Sequence, residues 1–306
     1  MSIDPKIYAN WRRQRAQGDP RNWCGAGISR RGIRSAVGRS AAGEFSGEIR
    51  ILPIRIDGEI SPETFAREPE TGPGAKLSER LIAAARNAGL RFEDGDILVV
   101  KHKVVSKAEG AMVLLDDIRP SAASRAWARR YGLDARVSEL ALRESRRIVR
   151  RKRGVLITET RHGFVCANSG VDVSNVDGGR HAVLLPVDPD QSARRLRQEL
   201  KKRVGIDIAV IVSDSFGRPW REGLTEVAIG IAGMRPLVDY RGRRDPQGYS
   251  LHATIDAVAD ELACAAGLVC GKLARTPASI IRGYAYSRGK GRAQELIRPA
   301  KLDLFR

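Results

Sequence analysis

The sequence predicts an α+β fold, a mixed α/β arrangement in which strands and helices follow one another without regular alternation. Ile208–Ser213 (IAVIVS) is a short, nearly all-apolar run, which is typical of a buried strand. Longer segments at 189–203 and 252–269 have helical patterns. The chain contains neither a P-loop nor a Rossmann GxGxxG motif, so the common nucleotide-binding folds are not predicted.

The ordered elements are expected to begin near residue 47. Residues 1–46 are basic and rich in Arg, Gly and Ser without a hydrophobic period, which predicts a disordered extension. Arg50–Ile56 predicts a first strand, and Pro53 confines it to a sheet edge or a bulge. The next predicted elements are a helix at 76–90, a strand at 96–105 and a loop at 105–110.

The second half of the chain has one clearly marked helix start. Asp188 can cap the helix at 189–203, Pro189 suits its first position, and Gln191 completes a capping-box spacing. Two more helices are predicted at 121–131 and 137–150, with arginines on their outer faces. The remaining predicted elements are strands at 155–160, 164–167, 182–185, 208–213, 226–232 and 278–282, and a helix at 252–269.

The net charge of +18 over 306 residues is unevenly distributed. Residues 1–45 contribute +6 from nine Lys/Arg and three Asp/Glu, and residues 119–153 contribute +9 from twelve and three. Nucleic acid, a membrane surface or anionic small molecules could each explain such an excess. Because aromatic residues make up only 5% of the chain, stacking on single-stranded nucleic acid is disfavoured.

Composition also limits the class of protein. No apolar run is long enough to span a bilayer, and the N-terminus lacks the apolar core of a signal peptide, so we expect a cytoplasmic enzyme. The four cysteines form no CxxC pair, which disfavours a structural zinc site. Cys264 and Cys270 lie in a helix-like stretch and are expected to be reduced core residues.

Two acidic loops are the strongest candidates for a metal site. Asn168–Asn175 (NSGVDVSN) and Ser213–Arg218 (SDSFGR) each follow a predicted strand. If the loops converge, Asp172, Asp214 and Ser215 would offer the hard oxygen ligands that a cation bridging phosphates prefers. Each loop could instead be a plain turn, because Asn, Asp, Ser and Gly favour turns.

A third segment supplies positive charge. Lys107, in the predicted loop VSKAEG, could neutralise a phosphate or could be a solvated surface lysine. His102 and Lys103 precede it on the predicted strand, where one face could point at a ligand.

Several of these segments together resemble the coenzyme F420-0:L-glutamate ligase family. The segments FEDGDILVVKHKVVSKAEG, GFVCANSGVDVSNV, AVIVSDSFGRPWREG and AVADELACAAGLVCGK occur in the order known for that family, from about residue 48 to at least 284. The resemblance implies a family-specific two-lobed α+β fold over residues 47–306 and a homodimer. It also implies GTP-dependent addition of L-glutamate, successively and γ-linked, to coenzyme F420-0 through an acyl phosphate.

The resemblance further implies roles for individual residues. Asp172, Asp214 and Ser215 match metal positions, for Mg²⁺ or Mn²⁺ with K⁺ as a further candidate, and Asp172, Asp214 and Lys107 would be catalytic. The positions near the nucleotide are Ile60, His102, Lys103, Lys107, Asn175, Gly271 and Lys272.

The chain departs from the family pattern after the long helix. Here GKLARTP places Lys272 where archaeal members have a metal-binding carboxylate. Either a second metal is held differently, or Lys272 itself meets phosphate. Two alternative functions also remain open, namely a ligase of the same fold acting on another carboxylate such as a folate, and a basic nucleic-acid-binding protein.

Overall fold

The computed structural model describes residues 47–58 and 73–304. The predicted extension at 1–46 lies outside the described residues, and so does Ile60. The helices are α1 Pro73–Asn87, α2 His102–Ala108, α3 Ala122–Tyr131, α4 Ala135–Arg143, α5 Pro189–Val204 and α6 Val258–Cys270. The strands are β1 Arg50–Ile54, β2 Ile97–Lys101, β3 Met112–Leu114, β4 Ser145–Lys152, β5 Val155–Thr160, β6 Val165–Ala167, β7 His181–Val183, β8 Ala209–Arg218, β9 Arg221–Ala232, β10 Val238–Asp239, β11 Ile255–Asp256 and β12 Ala278–Arg282.

The largest sheet has five strands in the order β1-β12-β2-β8-β9. The β2–β8 pair is parallel, and the other neighbouring pairs are antiparallel. Strand β2 and the first half of β8, Ala209–Val212, are nearly all apolar and buried, as the sequence predicted for 208–213. Among the strands that the structure describes, β1 pairs with β12 alone, which confirms the edge position predicted from Pro53. The mixed pairing confirms the α+β class.

A β-bulge in β9 determines which way its side chains point. Val212 pairs with Gly230, whereas Ser213 pairs with Ala228, so Ile229 is an extra residue in β9. Because side chains alternate along a strand, the extra residue moves the side chains before it to the opposite face. Glu226 and Gly230 therefore face opposite sides of the sheet.

Helices pack closely on both faces. A Cβ on Gly230 would lie 2.2 Å from the carbonyl oxygen of Pro189, so the start of α5 lies directly on one face. A Cβ on Gly267 would lie 2.7 Å from Cγ of Glu226, so α6 lies equally close to the other face. Only glycine permits these approaches.

Two carboxylates cover the outer edge of β9. Asp190 at the start of α5 accepts a hydrogen bond from Ile231 N at 2.8 Å, and Asp260 at the start of α6 accepts one from Ala228 N at 2.8 Å. Buried backbone N–H groups need such partners. The side chain of Asp188 accepts from Gln191 N at 2.9 Å, which confirms the predicted cap of α5.

A smaller three-stranded sheet, β4-β5-β6, packs against α4, which in turn packs against α3. β4 and β5 are joined by a tight turn in which Arg153 and Gly154 both have positive φ, at 51° and 81°. Such a turn matches the twist of a two-residue hairpin. β6 leads directly into the turn Asn168–Gly170, so this sheet positions the first acidic loop.

Two predicted elements were wrong because tertiary packing outweighed local pattern. The strand at 96–105 ends at Lys101, and α2 begins at His102, so Lys107 lies near the end of a helix rather than in a loop. Val104 and Val105 favour strands by propensity but are buried in α2. The helix predicted at 137–150 ends at Arg143, and the arginine-rich remainder forms β4, held by pairing with β5.

Two boundaries also need correction. Ser213–Arg218 is not a loop but the second half of β8, paired in regular register with β9 as far as Gly217 and, after a register shift, closing the hairpin at Arg218–Arg221. The helix predicted at 252–269 begins only at Val258, after the short strand β11. The predicted arrangement in two intertwined lobes stays a prediction. Across the described ranges, no helix is both long and apolar enough to cross a membrane.

Candidate active site

The candidate site lies where the parallel pairing of β2 with β8 ends. Lys101 at the end of β2 pairs with Ser213 on β8, and Asp214 and Ser215 follow on the same strand. The carboxyl ends of neighbouring parallel strands are where open α/β sheets place ligands. Because successive residues alternate, Ser213 and Ser215 point to the face covered by α6, and Asp214 points to the opposite face.

Asp214 lies among groups from α2 and β6. His102 Nε2 is 3.2 Å from Asp214 Oδ1, but its geometry is not that of a hydrogen bond, and this buried nitrogen has no hydrogen-bond partner among the described residues. Ser215 N donates to Asp214 Oδ1 at 2.7 Å. Burial and then the nearby charge of Asp214 raise the pKa of Cys166 to about 12. That thiol is therefore protonated at neutral pH and is not a nucleophile.

Asp172 is the second carboxylate of the site and is held by Lys103. Lys103 Nζ is 2.7 Å from Asp172 Oδ2 and donates to Ser174 Oγ at 2.8 Å, and Ser174 N donates to Asp172 Oδ1 at 2.6 Å. Burial raises the pKa of Asp172, but the Lys103 and Ser174 hydrogen bonds together with the Lys103 charge outweigh it and lower the pKa overall. Because His102 and Lys103 are consecutive, Asp214 and Asp172 both lie at the start of α2.

The loop around Asp172 has an unusual backbone. Asn168, Ser169 and Asn175 have positive φ values of 50°, 54° and 56°. Buried hydrogen bonds hold this shape, since Ser169 Oγ donates to Ala141 O at 2.7 Å. Non-glycine residues with positive φ are uncommon and often occur at functional sites. The carbonyl oxygen of Asn175 accepts from Lys107 Nζ at 3.0 Å, so the structure brings these two predicted site residues together.

Glu226 is a site residue that the sequence reasoning did not identify. It is 8% exposed, and its carboxylate accepts from Ser213 Oγ at 3.1 Å and from Ser215 Oγ at 2.7 Å, with Lys101 Nζ at 2.6 Å. Burial raises its pKa, but the hydrogen bond and charge of Lys101 and the Ser215 hydrogen bond lower it overall. The sequence signal was a single acidic residue at the start of an apolar strand.

Lys272 completes this group. Its Nζ donates to Ser215 Oγ and lies 3.7 Å from Glu226 Oε1, although its side chain is 62% exposed. Gly271, which ends α6, has a φ of 56° and turns the chain so that Lys272 follows. The structure thus brings Ser215 and Lys272 together on the α6 side of β8, apart from the carboxylates of Asp172 and Asp214 on the other side.

The oxygen chemistry of Asp172 and Asp214 fits a hard divalent cation. In this arrangement each of these two carboxylates has a cationic or imidazole neighbour from α2. Within 47–58 and 73–304, no three His, Cys, Asp or Glu side chains are grouped closely enough to hold a metal ion by themselves. A metal here would therefore need further oxygen ligands, such as those of a bound phosphate.

Comparison with known proteins identifies the family. The family model described as F420-0:Gamma-glutamyl ligase matches residues 66–283. The chain belongs to the F420-0:gamma-glutamyl ligase family. It is 46% identical over 241 residues to the coenzyme F420:L-glutamate ligase of Methanothermobacter thermautotrophicus, covering 78% of this chain and 95% of that protein.

Two further relatives have the same name. The coenzyme F420:L-glutamate ligase of Methanopyrus kandleri is 46% identical over 249 residues, covering 80% of this chain and 96% of the relative. That of Methanocaldococcus jannaschii is 44% identical over 235 residues, covering 76% and 94%. The family-matched region includes the described site residues, from Lys101 to Lys272.

Proposed function

We propose that this protein is a GTP-dependent coenzyme F420-0:L-glutamate ligase that adds glutamate successively through γ-linkages. The observation that best supports the proposal is the convergence of Asp172 and Asp214 with His102, Lys103 and Lys107 of α2, next to the point where the parallel pairing of β2 with β8 ends, in a chain of a γ-glutamyl ligase family. Paired carboxylates and lysines are what phosphoryl transfer needs, since it depends on positioning and on neutralising charge.

In this proposal, Asp172 and Asp214 hold the divalent cation. Bound Mg²⁺ or Mn²⁺ would neutralise charge developing on phosphate oxygens. The low pKa of Asp172 keeps that carboxylate ionised well below neutral pH, as a metal ligand must be. Lys103 and Lys107, which now contact Ser174 and Asn175, are placed to turn their ammonium groups towards phosphate.

The residues of this site favour a route in which no intermediate is covalently bonded to the protein. Transfer of the γ-phosphoryl group of GTP to the acceptor carboxylate gives an acyl phosphate and GDP, and the amine of glutamate then displaces phosphate and loses a proton to form the amide. Such a route needs no nucleophilic side chain, and the pKa of about 12 for Cys166 excludes the buried thiol beside Asp214 from that role. The role of the protein in this route is to hold the phosphate, the acceptor carboxyl group and the incoming glutamate in position.

The charge of the molecule agrees with this choice of substrates. GTP, glutamate and the coenzyme precursor are all anionic, and a net charge of +18 favours their approach. We also propose that the active unit is a homodimer.

Mass spectrometry of the coenzyme precursor after incubation with this protein, glutamate, GTP and Mg²⁺ or Mn²⁺ tests the proposal. We expect mass steps of one glutamate residue that require both GTP and metal. Binding of GTP and metal without any such product would exclude this acceptor, and a panel of other carboxylates, including folates, would then be tried.

A further inference from the structure

Lys272 follows α6 on an exposed segment, yet its ammonium group lies against the half-buried Ser215 and the buried Glu226. It donates to Ser215 Oγ and lies 3.7 Å from Glu226 Oε1. Three oxygen-bearing side chains, Ser213, Ser215 and Glu226, converge here on the face of the sheet beneath α6. Such a set of hydroxyl and carboxylate oxygens would suit a hard cation, and a lysine ammonium occupies it.

The charge balance of this group already favours the lysine over a metal ion. Glu226 contributes one negative charge, whereas Lys101 at 2.6 Å and Lys272 contribute two positive charges. A divalent cation placed at Ser215 would lie beside two ammonium groups with a single carboxylate to balance all of them. Like charges this close are unfavourable, the more so where water is excluded.

Strand geometry separates this group from the two metal-binding carboxylates. Residues 213–216 pair with 228–225 without a register shift, so alternation is regular across Asp214 and Ser215. Asp214 points towards His102 and the β6 side, and Ser215 points towards Glu226 and the α6 side. One metal ion held by Asp172 and Asp214 does not need the Ser215 hydroxyl.

We infer that the ammonium group of Lys272, held by Glu226 and Ser215, supplies the positive charge that a metal ion would otherwise supply at Ser215, so that no metal ion binds there. This inference rests on the proposed function in one respect, namely that Asp172 and Asp214 hold a metal. It makes Glu226 and Lys101 positioning residues, because they fix the ammonium group and the hydroxyl without touching a reacting atom. The ligand for this ammonium is an anionic oxygen, as on a nucleotide phosphate.

Binding of Mn²⁺ to the full-length protein in the presence of GTP, followed by the paramagnetic resonance of free Mn²⁺, tests the inference without any need for ligation. Loss of a metal ligand should weaken binding by at least the roughly 10–100-fold seen for outer-shell groups. We therefore expect a loss of that size in Asp214→Asn. In Ser215→Ala we expect Mn²⁺ affinity to stay within about twofold, because the hydroxyl is not a ligand.

A charge reversal gives the positive test. In Lys272→Glu the ammonium becomes a carboxylate beside Glu226 and Ser215, and we expect the chain to bind one more Mn²⁺ ion than the wild type. Lys272→Met is the matched control, since it removes the charge without adding a ligand, and its Mn²⁺ stoichiometry should equal that of the wild type.

The outcomes separate this inference from the proposed function. A loss of Mn²⁺ affinity in Ser215→Ala as large as in Asp214→Asn, or no additional ion in Lys272→Glu, would overturn the inference and leave the proposed ligase untouched. If the wild type bound no Mn²⁺ with GTP, the metal site at Asp172 and Asp214 would be refuted, and the inference with it.

Discussion

Each of the three acidic side chains in this site lies beside a lysine or a histidine side chain. Asp172 is held by Lys103, Glu226 by Lys101, and Asp214 lies beside His102. A buried carboxylate without a partner would be costly, whereas a paired one stays ionised. The lowered pKa values of Asp172 and Glu226 keep these two carboxylates negatively charged although they are partly or fully buried, which is the condition for binding a cation or positioning an ammonium group.

Asp214→Asn should reduce the rate of glutamate addition by more than about 100-fold, because it removes the charge that we propose holds the metal while keeping the size of the side chain. The fold should persist, since Asn can still accept the hydrogen bond from Ser215 N. Turnover and circular dichroism measured together would show this. Asp116→Asn, at an exposed ion pair with Arg136, is the control, and equal activity of the two variants would refute the role of Asp214.

Glu139 connects the helices α3 and α4. Its carboxylate on α4 accepts from Ser121 N at 3.0 Å and from Ser124 Oγ at 2.8 Å at the start of α3. The Ser121 backbone hydrogen bond, followed by that from Ser124, lowers the pKa of Glu139 to about 2. An acidic side chain near a helix N-terminus is stabilising, so this contact fixes the angle between the two helices.

Glu139→Gln should lower the free energy of unfolding at pH 7 by about 1.5–3 kcal/mol, the range for a hydrogen bond to a charged group. Because the folded pKa is depressed, this contribution is complete above the ordinary value of 4.5 and is lost as pH falls towards 2. Denaturant unfolding of both proteins at pH 7 and near pH 3 measures it. A difference that grows on acidification would contradict the assigned contact.

The approach of α6 to β9 depends on Gly267. Replacing a helical glycine by alanine usually stabilises a protein by about 0.4–1 kcal/mol. Here the added methyl group would lie 2.7 Å from Cγ of the buried Glu226. Gly267→Ala should therefore lower the melting temperature and slow ligation, because Glu226 must move away from Ser215. Gly230→Ala, which meets backbone at 2.2 Å, should be more destabilising, and a stabilised Gly267→Ala protein would contradict this packing.

Among the helices and strands, those that were predicted correctly from the sequence are the ones that a local pattern of residues determines. The buried strand at 208–213 and the capped helix starting at Pro189 were confirmed because their signals lie within a few residues. α2 and β4 were not predicted, since their conformations depend on burial and on pairing with β5. Glu226 was missed for the same reason, because the bulge at Ile229 that turns it into the site is a property of two paired strands.

The excess positive charge is concentrated in two segments, and the larger share, +9 of the net +18, lies at 119–153. Arg150 and Arg151 on β4 are exposed and form no ion pair with any described residue. Long-range attraction of anionic substrates to such a surface raises the rate of encounter and is weakened by salt, because the Debye length falls to about 8 Å at 0.15 M.

The value of kcat/KM for GTP should therefore fall several-fold between about 50 mM and 200 mM salt, with a smaller change in kcat. In the double variant Arg150→Glu, Arg151→Glu the dependence on salt should be weaker. Steady-state kinetics at constant metal concentration would measure both. A kcat/KM that does not change with salt would mean that the excess charge serves another partner, and salt-sensitive binding of RNA would then be the next measurement.

The N-terminal extension tests whether all of the basic charge belongs to the ligase. Residues 1–45 contribute +6 of the +18 and precede the family-matched region at 66–283. Deleting them should leave kcat within about twofold, because every described site residue lies at or after Lys101, and should lower kcat/KM modestly through the loss of charge. The same deletion combined with Arg150→Glu, Arg151→Glu separates the two basic regions. If the truncated protein is folded but inactive, the extension must supply part of the site.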